Sequence, residues 1–147
     1  GWWATTLSSL EDALAGDATE VSLRPNAIVV DRVGVLANLY GLASVSFVGG
    51  GFHGRGLHSV LEPAAAESGV LFGPQHHRAR AAADLIDCGG AEAVQNVEEL
   101  TEVATAWLTD EARRRAAGAA SAQYIQRNRG AATRSATLLE SLLRISR

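Results

Sequence analysis

Near-continuous apolar runs alternate with amphipathic or alanine-rich stretches along this chain, and that alternation sets the expected fold. Asn26 to Asp31 (NAIVVD), Val45 to Val48 (VSFV) and Val70 to Phe72 (VLF) have the character of strands covered on both faces. Trp2 to Leu7 (WWATTL) reads as a further strand, although Trp2-Trp3 equally suits a ragged start, and a short strand is expected near Ala91–Val94. Helical patterns follow each run: Val33 to Leu42, a stretch from near Ser59 to about Ser68, and His76 to Asp87, stopped by Gly89-Gly90. Three more are expected over roughly Val97–Leu108, Asp110–Asn128 and Ala131–Ile145, with Thr109 as the N-cap of the second and Gly130 as its C-cap. Strands separated by helices imply a parallel sheet, because a parallel return needs a crossover. The expected fold class is α/β: a Rossmann-like open parallel sheet with helices on both faces.

One connection is longer than such a fold needs. Between VSFV and the next helix lie Gly49-Gly50-Gly51, Phe52, His53, Gly54, Arg55, Gly56, Leu57 and His58, where loops of ~2–6 residues are usual. Open parallel sheets bind ligands beyond the carboxyl ends of their strands, which is where this loop falls. Glycines there let backbone amides approach a ligand, and a helix starting near Ser59 would turn its N-terminal amides towards an anion such as phosphate. Gly49, Gly51 and Gly54 fit GxGxxG, but the helix begins late and the next strand ends in Gly73-Pro74 with no carboxylate, so a dinucleotide site is demoted. A P-loop requires lysine, and the chain has none. Glu62 has two readings. As a carboxylate at the rim of the crevice it accepts the hydroxyls of a ribose; as the last residue of Ser59-Val60-Leu61-Glu62 it closes a capping box. Pro63 complicates the second, since proline prefers the first helical position and would make Glu62 itself the cap.

Composition narrows the class. With 147 residues, 47% of them hydrophobic, the chain suits one domain with a real core. No apolar run approaches the ~20 residues of a membrane span, and no signal-peptide or repeat pattern appears. The chain begins with Gly1 and contains no methionine, which is the expectation for a piece of a longer protein. Cys88 is the single cysteine; beside Gly89-Gly90, and with no base assignable to it, it reads as packing. All 13 basic residues other than histidine are arginine, and eight follow residue 110, among them Arg113, Arg114, Arg115, Arg127, Arg129 and Arg134. A solvated helix face, or contact with anionic lipid, explains such an end. Nucleic acid is disfavoured, because only Tyr124 offers a stacking surface there. His76-His77 point about 100° apart on a helix and lack a third ligand in the sequence, so no metal is expected.

FVGGGF, GLHSVLEPAA and VLFGP, in that order, resemble the donor domain of 3-deoxy-D-manno-octulosonic acid (Kdo) transferases, whose pattern is roughly FVGGS, GGHNPLEPA and PVLFGP. The upstream VVDRVGVLANLYGLASVSFVGG resembles their run of aspartate, Gly-Glu-Leu and Leu-Tyr before the glycines. The resemblance covers Ile28 to Pro74 closely and the remainder loosely. It implies the C-terminal half of a GT-B glycosyltransferase: a single donor-binding domain over residues 1–147, lacking the N-terminal acceptor domain and the first donor-domain strand. The implied donor is CMP-Kdo and the implied acceptor a lipid A precursor, at the cytoplasmic face of the bacterial inner membrane in the full-length protein, with no metal or other cofactor.

Carried over position by position, Ser59, Val60, Leu61 and Glu62 match the family's Asn-Pro-Leu-Glu nucleotide contacts, and Val33, Gly34 and Val35 match a second contact segment. Gly49, Gly50 and Gly51 match the glycines, and His58 the histidine, whose role is donor contact or ordering of the loop. Ser59 in place of asparagine loses an amide, and Val35 in place of glutamate loses a polar contact, which leaves the donor sugar open. Arg55 has no counterpart and either meets a phosphate or carboxylate or is solvated. The family's catalytic base is a glutamate of the N-terminal domain, so no catalytic residue is expected here and the 147 residues alone should be inactive. The C-terminal helices are expected to return towards that domain. Two alternatives stand beside this reading: a GT-B enzyme using a UDP-sugar, and a non-catalytic nucleotide-binding or interaction domain.

Overall fold

The structure is a computed structural model, and it describes residues 4–15 and 25–145. Two compact units are present, residues 1–39 and 40–147. In the first, β1 (Ala4–Thr6) and β2 (Ala27–Val29) pair in parallel, with Thr5 opposite Ile28, and α1 (Leu7–Ala15) connects out of β1. Asp31, beyond the end of β2, accepts hydrogen bonds from the backbone amide of Ser8 (3.1 Å) and from its hydroxyl, which holds the first turn of α1. Those bonds, led by the hydroxyl, keep the Asp31 carboxyl below its usual range. Arg32 adds an ion pair to Glu11 at 2.6 Å. The Trp2–Leu7 expectation is met by β1; Trp2-Trp3 lie outside the described residues. Helix α1 has no counterpart in the expected elements.

Helix α2 (Leu36–Tyr40) follows, shorter than the Val33–Leu42 expected, and none of its residues is buried. The second unit holds a three-stranded parallel sheet in the order β3 (Val45–Val48), β4 (Gly69–Phe72), β5 (Ala91–Ala93). Val48 stands opposite Phe72, and Phe72 opposite Ala93. All four β4 residues are buried, because β4 is central and covered on both faces. Val70 and Phe72 point to one side, with Val60, Ala64, Ala82 and Leu85; these belong to α3 (Leu61–Ala65), its approach, and α4 (Arg80–Asp87). Leu71 points to the other, with Val94, Val103, Trp107 and Ala117, which brings in α5 (Val97–Thr109) and α6 (Glu111–Asn128). Each fully buried side chain of this size stabilises the fold by about 1.5–3 kcal/mol. The expected parallel α/β arrangement is borne out, with its strands divided between a two-stranded and a three-stranded sheet.

Local chemistry fixes the helix ends. Asn96 caps α5 by accepting from the Glu99 amide at 2.8 Å, while the Glu99 carboxylate accepts from the Gln95 amide at 2.7 Å. The N-cap of α6 is Asp110, which accepts from the Arg113 amide at 3.0 Å. Thr109, expected in that role, belongs to α5 and donates its hydroxyl back to the Thr105 carbonyl. Gly130 follows the C-cap Arg129 with φ of 80°, as a helix-ending glycine does. Small residues let α6 lie close: a side chain at Gly118 would strike the Glu67 carbonyl, and Ser121 donates to the Gly90 carbonyl at 2.9 Å. Helix α7 (Ala131–Ile145) differs, since all its described side chains are exposed, including Leu138, Leu139, Leu142 and Leu143.

Candidate functional site

The loop after β3 is folded on itself. The His58 amide donates to the Gly49 carbonyl at 3.1 Å, closing the ends, and Gly50 adopts φ of 91°. A side chain on Gly50 would strike the Gly56 carbonyl and approach the His58 ring. Gly51 is buried against Gly73, backbone to backbone, and the Gln75 amide donates to its carbonyl at 2.9 Å. Two of the three glycines therefore serve packing of the loop. Gly49 and Gly54 have open space where a side chain would stand. Phe47 and Phe52 stack at 6.1 Å on the exposed side.

The two readings of Glu62 part here. Helix α3 begins at Leu61, its N-cap is Val60, and no side chain caps it. Ser59 makes only a long contact, its hydroxyl accepting from the Leu61 amide at 3.4 Å. Glu62 is the second helical residue and Pro63 the third, so neither version of the cap forms. The helix is also shorter than the Ser59–Ser68 expectation, ending where Glu67 takes a left-handed conformation (φ 60°). With five residues it supplies no substantial dipole towards the crevice. Val60 is a core residue at 2% exposure, whereas Leu61 and Glu62 are exposed.

Glu62 instead lines a hollow of about 490 Å³ between α3 and the α6–α7 corner, with Tyr124, Asn128, Arg129 and Arg134. The Tyr124 hydroxyl donates to Asp84 at 3.1 Å, and burial first, then that contact, raises its pKa. Tyr40 is likewise raised, by burial and then by the Glu62 charge. Arg134 donates to the Arg129 carbonyl at 2.8 Å. A second hollow, about 570 Å³, opens between the β3 and β4 loops and is lined by Arg55, Gln75, His77, Arg78 and the backbone of Gly54 and Gly56. Both volumes fall in the range of small-ligand pockets. The sequence marks Tyr124 only as a stacking surface and Arg55 only as an isolated cation; the helix-period spacing of Tyr124 against Asn128 is the signal for the first hollow, and the second has none.

Of the expected contacts His58 closes the glycine loop, whereas Leu61 and Glu62 line the hollow against α6 and α7, which includes none of Gly49, Gly50 and Gly51. Val33, Gly34 and Val35 belong to the first unit, where Val33 is fully exposed, Gly34 has φ of 86°, and the Val35 carbonyl accepts from Asn38 and Leu39 to begin α2. The expected helix over His76–Asp87 starts only at Arg80. His76 packs on the Phe72 ring at 5.3 Å, and no group of three metal-ligating side chains occurs among the described residues. Much of the arginine-rich end is engaged locally: Arg113 with Glu92 at 3.2 Å, Arg115 with Glu111 at 2.6 Å, and Arg114 with the Leu108 carbonyl at 3.1 Å. Cys88 is exposed and its thiol lies 3.4 Å from the Leu85 carbonyl.

No protein-family model matches the chain. A 3-deoxy-D-manno-octulosonic acid transferase of Chlamydia muridarum is 33% identical over 108 residues, 73% of this chain and 24% of that protein. The enzyme of the same name from Aquifex aeolicus is 34% identical over 89 residues, 60% of this chain and 25% of that protein. The chain thus spans about a quarter of the length of these relatives. Among solved structures, the C-terminal CMP-Kdo binding domain of WaaA from Acinetobacter baumannii superposes with a TM-score of 0.70, at 20% identity, over 85% of this chain and 62% of that one. The resemblance carried by the FVGGGF, LEPAA and VLFGP stretches is borne out: the chain is a relative of the Kdo transferases and has the fold of their C-terminal domain.

Proposed function

We propose that this chain is the donor-binding part of a glycosyltransferase that moves Kdo from CMP-Kdo to a lipid A precursor. The observation that supports it most directly is Glu62, an exposed carboxylate with no capping task, facing a ligand-sized hollow in a relative of the Kdo transferases. In this reading Glu62 accepts the ribose hydroxyls, and Ser59 and the backbone of Gly49 approach the nucleotide. Val33–Val35 form the second contact segment implied by the resemblance. The acceptor hydroxyl is activated by a glutamate of an N-terminal domain, against which the leucine face of α7 rests. The 147 residues stabilise the departing CMP, while base and acceptor site belong to the other domain, so alone they should bind donor without transferring it. Measurable Kdo transfer by them would contradict this. The reaction takes place at the cytoplasmic face of the inner membrane; among the described residues no helix is long and apolar enough to cross a membrane. Calorimetry with CMP against UDP tests the assignment. Preference for UDP would favour another GT-B enzyme, and binding of neither would favour a non-catalytic interaction domain.

A further inference from the structure

The hollow between the β3 and β4 loops has a chemistry distinct from that beside Glu62. Its walls leave the carboxyl ends of two adjacent parallel strands, where open sheets receive ligands. The walls are fixed to one another by the Gly51–Gly73 backbone contact and the Gln75–Gly51 hydrogen bond. Two guanidinium groups, Arg55 and Arg78, line it, one from each loop, with the His77 imidazole and the Gln75 amide beside them. No carboxylate lines it, and neither arginine has an ion-pair partner among the described residues. Arg113 and Arg115 of the same unit meet glutamates, and Arg114 and Arg134 meet carbonyls.

Two arginines without ion-pair partners, one from each of two loops, lining one concave and acid-free hollow suit a planar or tetrahedral oxyanion, which arginine binds through paired N–H donors. We propose that this hollow holds an oxyanion of the donor between Arg55 and Arg78, either the carboxylate of the acidic sugar or the phosphate that joins it to the nucleoside. The inference rests on the donor-binding reading and assigns the anionic part of the donor to a place apart from Glu62.

The test is a titration of the ¹⁵N-labelled chain, following the arginine Nε–H signals, assigned with the R55Q and R78Q variants. The probes are cytidine, CMP, free Kdo and inorganic phosphate. Arg55 and Arg78 signals should move with at least one anion and stay still with cytidine. Movement with CMP and phosphate but not Kdo identifies the phosphate as the occupant; movement with Kdo alone identifies the carboxylate. The double variant R55Q/R78Q should weaken binding of that anion by roughly tenfold. If none of the anions moves either signal, the oxyanion site is overturned, even where cytidine or CMP perturbs the amides around Glu62 and leaves the donor reading intact. Arginine signals that move with phosphate in a chain whose Glu62 region ignores both cytidine and CMP would keep the site and remove the nucleotide reading.

Discussion

The two hollows of the second unit share the same chain segments yet are built by opposite means. Leu57 and Ala79 line the one between the strand loops, while Leu61 and Ala81 line the one beside α6. The first is walled by irregular backbone locked by glycine contacts, and its charge is cationic and unpaired. The second is walled by helices, and it mixes the Glu62 carboxylate with the Tyr124 phenol and with Arg129 and Arg134. A ligand that carries an anion and a neutral diol at different ends would find complementary partners in each. Rigid backbone suits the charged group, whose hydrogen bonds are strict in geometry; helix side chains suit the sugar, whose hydroxyls tolerate rotation.

The comparison is broken most severely at Gly73. A methyl group there would lie 2.5 Å from the Gly51 carbonyl, backbone against backbone, so Gly73→Ala must part the two loops. Overpacking of this kind costs about 1–3 kcal/mol, measurable by urea unfolding, and the anion response of Arg55 and Arg78 should vanish with it. Gly54→Ala, with nothing within reach of the added carbon, should change stability by less than about 0.5 kcal/mol. Equal losses at both positions would mean the glycines act through chain flexibility alone.

Glu62→Gln sharpens the other side. Loss of a charged acceptor is worth about 1.5–3 kcal/mol, so CMP affinity should fall roughly ten- to a hundredfold by calorimetry. The melting temperature should hold, because Glu62 caps no helix. A marked drop in melting temperature with CMP affinity intact would remove it from the donor site.

Outside both hollows, neutralising Arg113, Arg114 and Arg115 should leave CMP binding unchanged and alter sedimentation with anionic vesicles little, since all three are engaged within the chain. Salt-sensitive vesicle binding that disappears in this variant would give the arginine-rich end a lipid role. The smallest effect is expected in the first unit. The Asp31 carboxyl is held below its ordinary value of 3.8 by Ser8, so it binds protons less readily folded than unfolded. Its contribution is complete above that value and is lost as pH falls through the lower folded one. Protection of the Ser8 amide against hydrogen exchange should weaken over that acid range, and Asp31→Asn should remove the dependence.

The strands and the long C-terminal helices were legible because their signals are local. VLF is apolar throughout since β4 is covered on both sides, and Gly130 marks a real left-handed turn. The short helices were overextended, because α3 stops where Glu67 turns left-handed under α6, a tertiary constraint with no mark in the sequence. Thr109 and Asp110 are both good caps, and only the geometry chose the aspartate. Glu62 was put forward as a donor contact by resemblance alone. The partnership of Arg55 with Arg78 was not legible, because 22 intervening positions are brought together only by the pairing of β3 with β4.

The contact between Gly51 and Gly73 has a mechanical consequence. Two loops welded at a point where neither admits a side chain behave as one lever: a ligand that presses on the turn after VSFV also strains the approach to α4. Because a carbon added at either glycine would meet backbone and not a side chain, no substitution at one can make room for a change at the other.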